Sequence, residues 1–138
     1  MEFIDISCVN RDMDRMEFIL KKDAYSYYMM NIIDYLIGNT DRHWGNWGFL
    51  VDNKTNKVTK LHPLMDYNKA FLSYETLSGA RCQTSERPLS QQQAAAEGVQ
   101  KIGLNQIKDV EPAWFADDKI KKMCFERLDF LRLVETER

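Results

Sequence analysis

Apolar residues recur at steps of three and four from Asp12 to Ile37, and in the second half of that stretch Tyr25, Tyr28, Met29, Ile32, Ile33 and Leu36 carry the repeat. The period predicts a long helix with one broad buried face. Gly38 follows at once, and glycine takes the positive φ with which helices commonly end. From Asn39 to Asn46 the chain is polar and aperiodic. Trp47-Gly48-Phe49-Leu50-Val51 and Val58-Thr59-Lys60-Leu61-His62 then read as two short strands around the polar turn Asp52-Asn53-Lys54-Thr55-Asn56-Lys57. Pro63 stops the second strand.

Beyond the hairpin, Ser73 to Pro88 mixes Ser, Thr, Gly, Arg and Pro without period and predicts an exposed loop. Ser90-Gln91-Gln92-Gln93 has capping-box spacing ahead of Ala94-Ala95-Ala96, so a helix is expected to about Ile102. A last helix starts at Asp117 or Asp118 and runs through Ile120, Met123, Phe125, Leu128, Leu131 and Val134, with Pro112 and Trp114 in the connector before it. Residues 1 to 11 show no sustained period and are expected as an edge strand or the remnant of a longer parent. No internal repeat or low-complexity tract interrupts the chain. The pattern as a whole predicts one α+β domain over residues 1–138, mainly α-helical, with one short β-hairpin.

Composition narrows the classes. A chain of 138 residues can bury a real core. With 19 basic against 21 acidic residues, no whole-chain field draws it to nucleic acid or to an anionic membrane, and neither is expected as a partner. No apolar run spans a bilayer, and Met1-Glu2-Phe3-Ile4-Asp5 lacks the basic start and apolar core of a signal peptide, so a cytoplasmic location is expected. Cys8, Cys82 and Cys124 form no C-x-x-C pair; they read as buried or incidental thiols, not as a disulfide framework or zinc knuckle.

The polar stretch after Gly38 carries the candidate chemistry. Asn39-Thr40-Asp41-Arg42-His43-Trp44-Gly45-Asn46, with Asp66 beyond the hairpin, puts carboxylates, a carboxamide and an imidazole between apolar elements, where unpaired polar groups are costly. Phosphoryl transfer passes through a loose transition state, so the protein mainly positions the nucleophile and neutralises charge through metal ions. It needs a carboxylate for the attacking hydroxyl and hard oxygen donors for Mg²⁺. Asp41, Asn46 and Asp66 fit those parts, and the step of five from Asp41 to Asn46 matches the protein-kinase loop H-R-D-x-x-x-x-N. A hairpin between Asn46 and Asp66 brings the two together.

Gly38-Asn39-Thr40-Asp41-Arg42-His43-Trp44-Gly45-Asn46-Trp47-Gly48-Phe49-Leu50 resembles the catalytic loop of the HipA-like serine/threonine kinases, and Pro63-Leu64-Met65-Asp66 resembles their metal-binding motif. Asp41-Arg42-His43 is also similar to the loop of phosphoinositide 3-kinase and 4-kinase relatives. The resemblance covers roughly residues 25 to 72, with loop, hairpin and second aspartate in the right order. It implies a protein-kinase-like C-terminal lobe with the hairpin at the catalytic site, Asp41 as catalytic base, His43 as a supporting neighbour, and Asn46 and Asp66 as Mg²⁺ ligands. ATP, a protein substrate and the family's association with toxin–antitoxin systems enter through the same resemblance.

The chain departs from a whole kinase. A phosphate-covering loop and a strand lysine belong to an N-terminal lobe, yet 24 residues precede the repeat that begins at Tyr25, no Gly-x-Gly-x-x-Gly occurs, and neither Lys21 nor Lys22 sits in a valine-rich strand. Tyr67-Asn68-Lys69 stands where protein kinases carry Phe-Gly after the metal-binding aspartate. Two readings follow. In one, this is a Mg-ATP-dependent kinase lobe that needs an N-lobe from a missing segment, a partner chain or a homodimer; in the other, it is a non-catalytic pseudokinase or binding module that regulates a partner. A lobe without its cap is expected to show an apolar patch on the helix before Asn39 or along the hairpin.

Plainer roles stand beside these. The loop residues also suit a network of structural hydrogen bonds. Arg42 pairs with a carboxylate or the later segment, or is solvated. Trp44 and Trp47 read as packing groups, and His62 as a satisfied strand histidine. Ser73, Ser78, Thr84 and Ser85 are regulatory phosphosites by resemblance alone, against an ordinary solvated loop. A transition-metal set of His43, His62, Asp41 and Asp66 ranks last, because the chain has only two histidines and no H-E-x-x-H.

Overall fold

The computed structural model describes residues 2–5, 15–43, 45, 47–55, 57–62, 70 and 76–138, with residues 2–5, 58, 62, 106 and 108 described by backbone alone. Among these residues the chain is a mainly helical α+β domain. Strand β1 (Glu2–Asp5) precedes helix α1 (Arg15–Leu36), strands β2 (Gly48–Val51) and β3 (Val58–His62), helix α2 (Gln91–Ile102), 3-10 turns at Asn105–Asp109 and Pro112–Trp114, and helix α3 (Asp118–Thr136). The strands form an antiparallel sheet in the order β1-β2-β3, so the hairpin gains the edge strand expected of residues 1 to 11.

Helix α1 organises the domain. Two helical stretches meet in it across a kink: Asp23 leaves the helical region with φ −159° and ψ 73°. Its carboxylate accounts for the break. One oxygen accepts from the Ser26 amide at 3.2 Å, as an N-cap does for the turn it starts, and the other accepts from the Leu61 amide at 3.1 Å. Asp23 thus caps the second half of α1 and pins strand β3 to the helix.

Successive stretches of α1 bury different surfaces. Ile19, Tyr27, Tyr28 and Met30 pack with Trp47, Phe49 and Leu61 of the hairpin, and Phe18 meets Phe49 edge-on at 5.3 Å. Ile32, Tyr35 and Leu36 pack with Ala95 and Val99 of α2 and with Leu128, Leu131 and Val134 of α3. Small residues let α2 approach closely: a Cβ at Gly98 would lie 3.0 Å from the Tyr28 carbonyl oxygen. One buried face was expected on α1, but Tyr27, Tyr28, Met30, Asn31, Ile32, Asp34, Tyr35 and Leu36 are all buried. Sheet, α2 and α3 surround it, and Tyr25, placed on the buried face by its spacing, is 52% exposed.

The later helices follow their caps. Ser90 and Gln93 make the reciprocal capping box, and α2 ends at Gly103 with φ 74°. The Asp117 carboxylate accepts from the amides of Lys119 and Ile120 at the start of α3. Arg127 of α3 is wholly buried; its guanidinium donates to the Tyr35 and Thr76 carbonyls and lies 4.8 Å from the centre of the Tyr35 ring. The segment before α2 departs from the exposed loop expected of it. Within residues 76–90, Cys82, Thr84 and Ser85 are buried, because this strap lies across α1 and its hydroxyls meet polar groups there. The expected apolar patch does not form among the described residues: Tyr25 is the exposed large apolar side chain of α1, and β2 and β3 show none.

Asp23→Ala removes both a cap and the tie to β3, and is expected to cost about 1–2 kcal/mol, while Asp23→Asn keeps an acceptor and costs less. Urea denaturation of the two variants checks the order.

Candidate functional site

The loop begins with a helix stop that the backbone makes twice over. The Gly38 amide donates to the Tyr35 carbonyl at 3.2 Å and the Asn39 amide to the Asp34 carbonyl at 2.9 Å, with Gly38 at φ 65°. This is the Schellman arrangement, and it reverses the chain onto the end of α1. Arg42 is thereby brought back to Asp34. Its Nε donates to Asp34 Oδ2 at 2.9 Å and its Nη2 to Oδ1 at 3.0 Å, a two-pronged ion pair with Asp34 4% and Arg42 3% exposed.

Asn39 completes the network. Its Nδ2 donates to Asp34 Oδ1 at 3.0 Å, and its Oδ1 accepts from the Asp41 amide at 3.3 Å. Its carbonyl accepts from Gln91 Nε2 at 2.7 Å, and the Thr40 carbonyl accepts from Gln83 Nε2 at 3.1 Å. A turn earlier on α1, Asn31 Oδ1 accepts from the Thr84 hydroxyl at 2.5 Å, and Tyr27 donates to the Thr84 carbonyl at 3.0 Å. Burial pushes the Tyr27 phenol up to about 12, with hydrogen bonds to Asn31 and Thr84 pulling the other way, so it stays a donor. Asn31, Asp34, Asn39, Arg42, Thr84 and Gln91 line a polar cavity of about 20 Å³, the room that one water needs.

The expected site residues divide around this network. Asp41 is half-buried at its edge, held at the amide by Asn39. His43 is exposed; its Nδ1 accepts from the Gly45 amide at 3.0 Å, which leaves the proton of a neutral ring on Nε2. Arg42 takes the carboxylate partner rather than solvent. Trp47 is buried as a packing group, tilted against Tyr27 at 5.8 Å. Asn46 and Asp66 lie outside the described residues, as do Trp44, Pro63, Ser73 and Cys8. Ser78 is exposed, but Thr84 and Ser85 are buried in the strap and are not accessible phosphosites.

The hairpin register bears on the two proposed ligands. Gly48 pairs with His62 and Phe49 with Leu61, so the chain enters β2 and leaves β3 at the same end of the sheet. Cys82 and Cys124 are buried and form no disulfide among the described residues. Among the described residues no group of three His, Cys, Asp or Glu side chains gathers to hold a metal ion, and no helix is long and apolar enough to cross a membrane.

Asp34, Asn31, Thr84 and Gln91 were not singled out by the spacing of the loop. A signal for two of them lies in Asn31-Ile32-Ile33-Asp34-Tyr35-Leu36: an amide and a carboxylate three residues apart share a helix face otherwise apolar, and a buried carboxylate calls for a cation nearby. Compared with protein-family models, curated proteins and solved structures, the chain matches none.

Asp34→Ala leaves the Arg42 charge buried without its partner and is expected to cost about 3–5 kcal/mol. Asp34→Leu with Arg42→Met removes both charges and is expected to recover much of that loss. Chemical denaturation of the single and paired variants tests this, since losses that simply add would contradict a coupled pair.

Proposed function

We propose that the chain is the C-terminal catalytic lobe of a HipA-like serine/threonine kinase, acting on a protein hydroxyl with Mg-ATP and completed by an N-lobe from another segment or chain. The observation that carries this reading is the convergence at one end of the sheet. The loop that holds Asp41 leads into β2 two residues after Asn46, and the pairing of Gly48 with His62 returns the chain to that end four residues before Asp66.

The chemistry of the donors supports it as well. A carboxamide oxygen and a carboxylate are hard ligands, suited to Mg²⁺ rather than to a soft transition metal. Asn46 and Asp66 would hold the metal, which supplies charge neutralisation for the phosphates. Asp41 orients the attacking hydroxyl and accepts its proton; it stays half-exposed, at the rim of a network in which Asp34 already satisfies Arg42. His43 is exposed beside it and adds a polar group at the mouth of the loop. The structural role of the loop thus accounts for Arg42 and Asn39, and the proposed chemistry is assigned to Asp41 with His43 as its neighbour.

Calorimetry with Mg-ATP separates the roles. Asp66→Asn is expected to weaken nucleotide binding at least about tenfold, about 1.4 kcal/mol. Asp41→Asn is expected to bind Mg-ATP as the parent does and to lower the rate of phosphotransfer to protein by about 10²–10⁴. Binding indifferent to Asp66 would overturn the kinase reading in favour of a non-catalytic binding module.

A further inference from the structure

The strap of residues 76–90 and the first residue of α2 touch the Asp41 loop through the side-chain amides of Gln83 and Gln91. Tyr35 donates to the Leu77 carbonyl at 2.7 Å and Arg127 to the Thr76 carbonyl at 2.8 Å, fixing its first residues to α1 and α3. Thr84 fixes its far end to Asn31. Between them stands Gln91, the first residue of α2 and 7% exposed. Its Oε1 accepts from the Ala80 amide at 3.0 Å while its Nε2 donates to the Asn39 carbonyl at 2.7 Å. One side chain therefore spans from strap to loop with both ends of its amide used.

The strap is shaped to admit that side chain. Gly79 has φ 72°, and a Cβ there would lie 2.6 Å from Gln91 Oε1, so both the backbone angle and the space at position 79 require glycine. The capping box at Ser90 and the small-residue contact of α2 with α1 give Gln91 a rigid base.

We infer that Gln91 is a positioning residue, holding the Asp41 loop in register with the strap through a buried amide bridge. Its effect on catalysis rests on the kinase reading above; its effect on the loop does not. The chain of contacts is short: Gln91 fixes the Asn39 carbonyl, and Asn39 Oδ1 receives the Asp41 amide. Phosphate has no route to this bridge through Thr84 or Ser85, which are 2% and 7% exposed.

Amide hydrogen exchange on three variants tests the bridge. Gln91→Met keeps length and removes both hydrogen bonds; Gln91→Glu keeps the acceptor for Ala80 and turns a carboxylate toward the Asn39 carbonyl. Both are expected to speed exchange of the Asp41 amide about tenfold, with Ala80 speeded in Gln91→Met alone. Thr84→Val loosens the far end of the strap and is expected to leave Asp41 within about twofold of the parent. In a phosphotransfer assay the two Gln91 variants are expected to lower kcat about tenfold with KM for ATP within about twofold, the split expected of misplaced chemistry rather than lost binding. Unchanged Asp41 exchange in the Gln91 variants, or an equal rise in Thr84→Val, overturns the proposal. Absence of phosphotransfer in the parent, with an N-lobe supplied, sinks the kinase reading alone, because the exchange data still decide the bridge.

Discussion

The buried ion pair of Asp34 with Arg42 is the constraint on which the rest of the site depends. Two charges withdrawn from water carry a large desolvation cost, and their mutual attraction offsets it only with near-ideal geometry and further hydrogen bonds. Both conditions are met: the guanidinium engages both carboxylate oxygens, and Asn39 adds a third donor. Such a pair contributes position more than net stability. Because Arg42 reaches Asp34 only if the chain turns sharply at Gly38, the pair and the helix stop select the same loop conformation, and Asp41 is carried to the rim as a result.

The rest of the domain serves that turn. Helix α1 is held on three sides, by the sheet through Trp47, Phe49 and Leu61, by α2 through Ala95 and Val99, and by α3 through Leu128 and Leu131. Asp23 breaks the helix and ties it to β3, ahead of Tyr27, Tyr28 and Met30, which still pack on the hairpin, and of Ile32, Tyr35 and Leu36, which meet the helices. The strap closes the remaining polar side, where the Thr84 hydroxyl donates to Asn31, and Gln91 at the start of α2 donates to the Asn39 carbonyl. Buried polar groups tolerate few alternative arrangements, since each lost partner leaves a desolvated donor or acceptor.

How much of this was legible in the sequence depended on whether the deciding interaction is local. Helices α2 and α3 begin within a residue of the positions their caps predict, because a capping bond joins residues two or three apart. The hairpin bounds and the stop at Gly38 were legible for the same reason. The burial of Tyr25 and the exposure of the strap were misjudged, because both are set by which distant elements land on α1. In the site, Asp41 and His43 stood out by motif. Arg42's partner did not, since pairing across eight residues requires the helix stop to be known first. Gln91 lies 52 residues from Asn39 and was invisible to any spacing argument.

Whether the proposed metal–nucleotide site lies against this braced loop is decided by paramagnetic broadening of the amide resonances of the whole chain by Mn²⁺, with and without ATP. Broadening is expected to concentrate on Asp41 to Gly48 and on Leu64 to Asp66, and to be stronger when ATP is present. Broadening centred on other acidic surface, such as Glu135 to Glu137 at the end of α3, or the same with and without nucleotide, would contradict that placement.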